Sequence, residues 1–390
     1  MKVLHLFDRY LNSTMNWAYK LIKHTPEVDV QVSAPILIKN QFLDPAFNFL
    51  RSPYQSYLPR NEWNVGPALR IVAGLTFRRK QLFQQALYRS LKNDPPDLIH
   101  AHFAHVGCSS IRLASLLDCP LVVSFYGYDY EKIPTTRPKY KALYQELFRV
   151  ARLILTEGAY GRQVLINMGC PPEKVQVLHL GILPEKVPFM VRTPGTGEPF
   201  KILQAATFTE KKGQLTSVEA LAIARKKNDQ LSLSLVGEFT SKRYFQKVRQ
   251  RIKELDLEDF VDIKPFVAHD KFYEFLEEFD LFLHPSCYAA DRDYEGGAPI
   301  VLLDAQANGL PIVSTEHCDI PEEVLHGKTG LLVPEKDPQR VAEAILQMAA
   351  KPDSEYASFS RMARKHVEDQ YDVRHSGQQL LSYYRSIVQP

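Results

Sequence analysis

A carboxylate and a turn of small residues lie at the start of one predicted helix. The helix is predicted to begin at Pro299, shortly after Glu295, and to end at Gly309, and it carries a second carboxylate at Asp304. Free backbone N–H groups and the helix dipole attract phosphates, whereas carboxylates accept hydrogen bonds from sugar or ribose hydroxyls. The arrangement therefore suits a ligand with a diphosphate and hydroxyl groups. The small residues are Gly296, Gly297 and Ala298.

The elements that must position these residues are short apolar runs, which alternate with amphipathic stretches as in parallel α/β sheets. In the first half, strands are predicted at 2–7, 28–34, 97–103, 120–126, 152–156 and 174–180. In the second half, they are predicted at 200–207, 231–237, 260–266, 280–285, 311–315 and 330–334. Residues 181–199 hold four prolines and three glycines without a helical period, which predicts an interdomain linker.

Two doubly wound α/β domains of similar size are therefore predicted, which fits a chain of 390 residues. Sheets of this kind bind ligands at the carboxyl ends of their strands. We expect the functional site in a cleft between the two sheets, because each candidate residue follows a predicted strand or begins the next helix.

Composition narrows the class of protein. Hydrophobic residues at 45% and charged residues at 24% are typical of a globular enzyme, and a net charge of +3 does not indicate nucleic-acid binding. The five cysteines have no CxxC spacing, which favours a reducing compartment and argues against zinc. The first apolar run is broken by Asp8 and Arg9, and no segment has the ~20 apolar residues of a membrane span, so a cytoplasmic protein is expected.

Four segments of the second half carry a family resemblance: TFTEKKGQ, LVGE, EGGAPIVLLDAQANGLPIVST and GKTGLLVPEKDPQRVAEAI. Together they resemble the nucleotide-sugar-binding half of glycosyltransferase family 4. DLIHAHFAHVGCSSIRLA and VVSFYGYDY extend the resemblance more weakly into the first half. The EGGAP segment resembles the branch that builds bacterial exopolysaccharides, colanic acid among them, and lipopolysaccharide cores.

The resemblance implies the GT-B fold, in which two Rossmann-like domains face each other across a cleft. It implies an acceptor domain at 1–185, a nucleotide-sugar donor domain at 186–370, and a C-terminal helix at 371–390 that returns to the first domain. It also implies a retaining mechanism without a cofactor or an essential metal, so the acidic triplet at 291–293 is not interpreted as a metal site. The expected donor is a UDP-sugar, with a GDP-sugar as the alternative.

Roles in donor binding follow from the same resemblance. Glu295 matches the first acidic residue of a paired-glutamate motif and is expected to contact the donor sugar. Asp304 matches the second, which grips the ribose hydroxyls, although here it is an aspartate one residue further along. Lys212 matches a phosphate-binding lysine that stabilises the departing diphosphate. The other residues expected in the donor site are Thr207, Lys211, Glu238, Gly296, Gly297, Ala298 and Pro299.

Two of these residues leave alternatives open. Thr207 stands where the family has an arginine, so a second positive charge is either missing or supplied from elsewhere. Glu238 follows the LVG strand and either touches the nucleotide or is a turn residue.

The first half is expected to supply the acceptor side and a catalytic histidine. His100 and His102 alternate at a strand end, and His102 is the better match to a family histidine beneath the donor sugar, with His105 as a weaker rival. A capping or core histidine is the alternative interpretation. Asn12 and Ser13 either cap a helix or offer amides to a phosphate. The residues expected on the acceptor side are Asn12, Ser13, Tyr126, Gly127 and Asp129, with Tyr126 at a position where the family has a histidine.

The sequence thus favours a retaining hexosyltransferase that acts on a saccharide or lipid-linked acceptor. The alternative is a non-catalytic nucleotide-sugar-binding or scaffold protein of the same fold. The basic stretch 70–92 either contacts an anionic membrane or forms a plain basic surface helix.

Overall fold

The computed structural model describes residues 1–10, 15–40, 42–58, 77–194 and 199–388, which form two α/β units. The first unit contains Met1–Gly181 and Val373–Pro390, and the second contains Ile182–Asp372. The sequence had placed the corresponding boundaries after residues 185 and 370.

The first unit is built around a parallel sheet of seven strands. The strands of this unit, which belong to two sheets, are β1 Lys2–Leu6, β2 Arg9–Tyr10, β3 Asp29–Ser33, β4 Ile36–Ile38, β5 Asn48–Phe49, β6 Ser56–Leu58, β7 Leu98–His102, β8 Leu121–Ser124, β9 Leu153–Thr156 and β10 Val175–Val177. The large sheet has the order β10-β9-β8-β7-β1-β3-β5, and β2, β4 and β6 form a separate small parallel sheet. The central strands are almost wholly buried, as expected where helices cover both faces.

Helices surround this sheet and include the last helix of the chain. They are Asn16–Lys23, Phe77–Leu91, Ala104–Leu117, Gly127–Tyr130, Lys132–Thr136, Lys139–Val150, Ala159–Asn167 and Val373–Val388. The last helix packs closely on the end of the first helix. A Cβ atom at Gly377 would lie only 2.0 Å from the carbonyl oxygen of His24, so glycine is what permits this approach. Among the described helices, none combines the length and the apolar composition that a membrane crossing needs.

The second unit contains a parallel sheet of six strands in the order β13-β12-β11-β14-β15-β16. Its strands are β11 Phe200–Ala205, β12 Leu231–Val236, β13 Val261–Lys264, β14 Leu281–His284, β15 Ile312–Thr315 and β16 Gly330–Val333. Its helices are Gln214–Arg225, Lys242–Glu254, His269–Leu276, Ile300–Asn308, Ile320–Glu323, Pro338–Ala349 and Asp353–Gln370. The strand order reverses between β11 and β14, and ligands bind at such switch points.

The prediction of two doubly wound α/β domains is confirmed, and each of the twelve predicted strands is present with narrower bounds, most clearly at 174–180, where the strand is Val175–Val177. The sequence did not predict β5 or the small sheet. The predicted C-terminal helix at 371–390 corresponds to Val373–Val388, and Tyr371 and Asp372 separate it from the helix Asp353–Gln370.

The described part of the predicted linker packs into the second unit instead of forming a free connection. Ile182 and Val187 lie in a hydrophobic cluster with the helix Ile300–Asn308. Arg192 is 4% exposed, and its guanidinium donates hydrogen bonds to the carbonyls of Leu276, Glu277 and Phe279 and to the side chain of Asn308. The prolines and glycines of the segment predicted a linker, and its sequence did not reveal the buried contacts of Ile182, Val187 and Arg192.

We expect Arg192→Met to lower the free energy of unfolding by about 3 kcal/mol or more. The substitution would leave several buried acceptors unpaired, each at a cost of roughly 1–3 kcal/mol. Urea unfolding measures the change, with the exposed Arg361→Met as the matched control. Equal stability of the two variants would contradict the structural role of Arg192.

Candidate active site

The candidate site of the second unit lies where the loops after β11 and β14 meet. A short turn, Glu210–Lys212, follows β11, and Gly213 ends it with a φ angle of +70°. A Cβ atom at Gly213 would lie 2.0 Å from the carbonyl oxygen of Pro285, so only glycine permits this approach. The carbonyl of Lys211 accepts a hydrogen bond of 2.9 Å from the backbone N–H of Cys287. The two loops are therefore fixed to each other.

A buried ion pair joins these loops. The Nζ atom of Lys212 lies 2.7 Å from Oε1 of Glu295, and the two side chains are only 15% and 8% exposed. The hydroxyl of Ser286 donates to the same carboxylate oxygen over 3.2 Å. Burial raises the pKa of Glu295, but the adjacent Lys212 and Lys211 outweigh it and hold the pKa well below its usual range. Burial lowers the pKa of Lys212, and Glu295 opposes this shift.

Lys211 places a second cation close to the pair. Its Nζ atom lies 3.9 Å from Oε2 of Glu295 and 3.4 Å from Oδ1 of Asp293, and it donates to the carbonyl of Tyr294 over 3.0 Å. Thr207 carries no charge, and Lys211 is a second cation near Glu295 among the described residues.

Asp304 is buried within the second unit. It is 6% exposed, and one of its partners is the hydroxyl of Tyr273, which donates to Oδ1 over 3.1 Å. The helix that carries Asp304 spans Ile300–Asn308, with Pro299 and Gly309 as its flanking residues, which confirms the predicted bounds. Asp304 is therefore not an ordinary carboxylate on a solvated face.

Other predicted donor residues lie in the neighbouring loops. The loops after β11 and β12 run side by side, because the N–H of Phe208 donates to the carbonyl of Glu238 over 2.9 Å. The carbonyl of Thr207 accepts from the side chain of Gln214 over 3.0 Å. In the turn between Glu295 and the helix, Gly296 has a φ angle of +80°. The rest of this turn consists of Gly297, Ala298 and Pro299.

Sequence reasoning missed two residues that hold this turn. The Nε2 atom of His317 accepts a hydrogen bond of 3.2 Å from the backbone N–H of Glu295, and its Nδ1 atom lies 2.6 Å from Oε1 of Glu335. Both residues follow strands, β15 and β16, at the same edge of the sheet as the predicted site. Their position at strand ends was the available signal.

A third missed residue is His284, at the carboxyl end of β14. Its ring is fully buried, and its Nε2 atom lies 4.0 Å from Oε1 of Glu295. Burial and the positive charge of Lys212 lower the pKa of His284 to about 3, so the ring is neutral at pH 7.

In the first unit, His102 is enclosed on all sides. It is fully buried, its Nδ1 atom lies 2.9 Å from the hydroxyl of Tyr126, and its Nε2 atom lies 3.0 Å from Nδ1 of His5. Its ring also stacks on Phe7, with centroids 4.2 Å apart. The expected contact of His102 with the donor sugar stays a prediction, and it would require these hydrogen bonds to be broken.

His102 belongs to a cluster with His5 and His100, whose ligand atoms lie within 4.8 Å of one another. This spacing could hold a metal ion. Both ring nitrogens of His100 have hydrogen-bond partners, the hydroxyls of Tyr384 and Ser124, and those of His102 are also occupied. The described hydrogen bonds therefore explain why these rings lie together, as part of a buried hydrogen-bonded core.

Asp129 has a structural role at the end of β8. It is fully buried, and its Oδ2 atom accepts from the backbone N–H groups of Tyr126 and Ala104 over 3.1 and 3.0 Å. Gly127 is the first residue of the short helix Gly127–Tyr130, and Asp129 caps the N-terminus of that helix by accepting the hydrogen bond from Tyr126. Asn12 and Ser13 lie outside the described residues.

His105 is the more accessible histidine at this edge. Its Nε2 atom lies 3.1 Å from Oδ2 of Asp8, and its Nδ1 atom lies 3.8 Å from Oδ1 of Asp129, with 15% of the side chain exposed. Burial lowers the pKa of His105, but the two carboxylates outweigh burial and raise it to about 9. The ring is therefore a cation at pH 7.

We expect NMR titration to give His105 a pKa of about 9, and the Asp8→Asn variant to lower it. Because the folded pKa exceeds the ordinary histidine pKa of about 6.5, the stabilisation by His105 is complete below that pH and is lost as the pH rises through about 9. The exposed Asp118→Asn serves as the control. A midpoint below the ordinary histidine pKa would contradict the ion pairs.

Comparison with protein families gives two matches that together span most of the chain. Residues 190–366 match the family described as glycosyl transferases group 1. Residues 49–186 match the family described as glycosyltransferase family 4.

Relatives of similar length were found in bacteria. The chain is 34% identical to the amylovoran biosynthesis glycosyltransferase AmsK of Erwinia amylovora, over 73% of this chain and 69% of the relative. It is 31% identical to the putative colanic acid biosynthesis glycosyltransferase WcaL of Escherichia coli, over 75% of this chain and 71% of the relative.

Solved structures share the fold at low sequence identity. HepE of Anabaena, crystallised with UDP-glucose, superposes with a TM-score of 0.76 at 19% identity, over 99% of this chain and 100% of that one. WaaG, a glycosyltransferase involved in lipopolysaccharide biosynthesis, superposes with a TM-score of 0.65 at 17% identity, over 97% and 99% of the two chains.

Proposed function

The chain belongs to glycosyltransferase family 4 and has the GT-B fold, and from this premise we propose that it is a retaining hexosyltransferase. The proposed reaction moves a hexose from a nucleotide-diphosphate sugar to a saccharide or lipid-linked acceptor. The observation that carries this proposal is the buried pair of Lys212 and Glu295, beside the turn that begins the helix Ile300–Asn308.

A UDP-sugar is the favoured donor, and a GDP-sugar is the alternative. HepE, which shares the fold, was crystallised with UDP-glucose. Over 40% of this chain, a mannosyltransferase of Mycobacterium tuberculosis described as GDP-mannose-dependent is 31% identical. The choice depends on contacts to the base, which fold similarity does not determine.

In the proposed mechanism, cations stabilise the charge that develops on the departing diphosphate. Lys212 is the principal cation and Lys211 the second, and the low polarity of their surroundings strengthens the attraction. Glu295 accepts a hydrogen bond from a sugar hydroxyl, and Asp304 binds the ribose.

The bond between the anomeric carbon and the diphosphate oxygen breaks, and a bond to the acceptor oxygen forms on the same face. The acceptor proton passes to an oxygen of the diphosphate. This scheme needs neither a metal nor a cofactor.

Surface polysaccharide synthesis is the proposed setting, because the relatives AmsK and WcaL are described as amylovoran and colanic acid biosynthesis enzymes. The acceptor domain would then work at the cytoplasmic face of the membrane that carries the lipid-linked saccharide. Part of the basic stretch at 70–92 forms the helix Phe77–Leu91, which has no acidic residue in its first turn. This helix is the proposed contact with anionic lipid.

We expect one class of nucleotide to stabilise the protein in a thermal-shift panel of UDP, GDP, ADP and their sugars. A ligand at 100 times its dissociation constant raises the free energy of unfolding by about 2.7 kcal/mol. UDP is expected to give the largest shift. If none of these nucleotides raised the unfolding temperature, the proposed function would be overturned.

We expect Glu295→Ala to lower the rate of sugar transfer by about 100-fold or more, because a contact to the reacting sugar is lost. The protein should stay folded, since Lys212 can lose its proton when its partner is removed. The control is Glu343→Ala, which removes an exposed glutamate that pairs with Arg340. Transfer is measured as release of UDP together with NMR of the product anomer.

The outcomes separate the alternatives. Release of UDP with retained configuration supports the proposal, whereas nucleotide binding without release in the presence of acceptors indicates the non-catalytic protein. Unchanged transfer by Glu295→Ala would contradict the assignment of this residue.

A further inference from the structure

The loop that carries Glu295 is long, and its shape must be fixed for the site to work. It runs from Pro285 to Pro299, between β14 and the helix Ile300–Asn308, and contains no helix or strand. The carboxylate of Glu295 is held by Lys212 and Ser286, but these contacts fix only the side chain. The backbone of the turn needs separate support.

His317 provides this support. It is fully buried, and its Nε2 atom accepts the hydrogen bond of 3.2 Å from the N–H of Glu295. An acceptor nitrogen carries no proton, so in the neutral ring the proton lies on Nδ1, which donates to Glu335 over 2.6 Å. The Sγ atom of Cys318 lies 3.3 Å from the same Nε2 atom. The ring thus has one orientation and one tautomer.

Glu335 connects this ring to the other end of the loop. Its Oε1 atom accepts from His317, and its Oε2 atom accepts from the backbone N–H of Tyr288 over 2.9 Å. Partial burial raises the pKa of Glu335, but these hydrogen bonds outweigh it and lower the pKa, so the carboxylate is ionised at pH 7. One carboxylate therefore serves both hydrogen bonds.

Aromatic contacts reinforce the same arrangement. The ring of Tyr288 meets that of His317 edge to face, with centroids 5.2 Å apart, and lies 4.8 Å from the ring of Tyr294. Three loops, which follow β14, β15 and β16, are thus tied together at one edge of the sheet. Glu295 lies one residue beyond Tyr294.

We propose that His317 and Glu335 are positioning residues for sugar transfer, which fix the backbone of the turn that begins at Glu295. The inference rests on the proposed function, because it assigns these residues to the same donor site. They touch neither sugar nor diphosphate in this scheme. They act by holding Glu295 and the following amides where the transition state needs them.

The test uses three substitutions of one residue in the full-length protein. A glutamine amide reaches the position of Nε2 and can accept from the N–H of Glu295, whereas an asparagine amide reaches only that of Nδ1 and keeps the bond to Glu335. His317→Phe fills the space and makes neither bond. The control is His326→Phe, which removes a histidine that accepts from the N–H of Leu332, outside this loop.

We expect His317→Asn and His317→Phe to lower kcat by about 10- to 100-fold, with the donor KM within about threefold of the wild type. His317→Gln should keep kcat within about threefold, because it restores the acceptor. Combining His317→Phe with Glu335→Ala should cost less than the sum of the single effects, since the residues act as a unit. Wild-type kcat in the asparagine and phenylalanine variants would overturn the inference, as would equal losses in all three.

A second measurement separates this inference from the proposed function. Hydrogen exchange at the amide of Glu295 needs no substrate, and it should be faster in His317→Asn than in the wild type and in His317→Gln. A wild-type protein that transfers no sugar would overturn the proposed function, while the exchange rates would still report the role of His317. Equal exchange in every variant would show that His317 does not fix the turn.

Discussion

The contact on which the candidate site of the second unit is built is the buried pair of Lys212 and Glu295. Removing two charges from water costs several kcal/mol for each ion, and the cost is offset only by close approach and further hydrogen bonds. Gly213 permits the close approach of the two loops, and Ser286 supplies a hydrogen bond. A pair of this kind is weak evidence for stability. Its significance lies in its position, at the carboxyl ends of β11 and β14, because sheets of this kind bind ligands at that edge.

The first unit buries polar groups in a different way. In the part of the chain that the structure describes, its histidines at β1 and β7 hydrogen-bond to one another and to hydroxyl groups. Burial lowers the pKa of His100 and of His102, so the rings are neutral and satisfy each other without charge. His105 lies at the rim beside Asp8 and is cationic.

The sequence was sufficient for the fold, and two of the residues that it singled out, Lys212 and Glu295, lie together in the structure. Strands were predictable because parallel strands covered on both faces are continuous apolar runs, and the helix after Pro299 because its end residues carry local signals. The two-residue strand Asn48–Phe49 has no such pattern. His317 and Glu335 lie 22 and 40 residues beyond Glu295, so only the order of strands β14 to β16 brings them together. The enclosure of His102 depends on His5 and Tyr126, which a strand pattern does not reveal.

The first unit is discontinuous in the chain, because its last helix, Val373–Val388, follows the whole of the second unit. That helix supplies Tyr384, whose hydroxyl bonds to His100 beneath the central strands. A ribosome makes this segment after the second unit, so the seven-stranded sheet waits without one of its covering helices while the second unit is already complete. Exposed apolar surface during that interval favours aggregation. Nascent chains of this protein should therefore depend on chaperones until the helix Val373–Val388 has been made, and the cell should tolerate loss of that helix poorly.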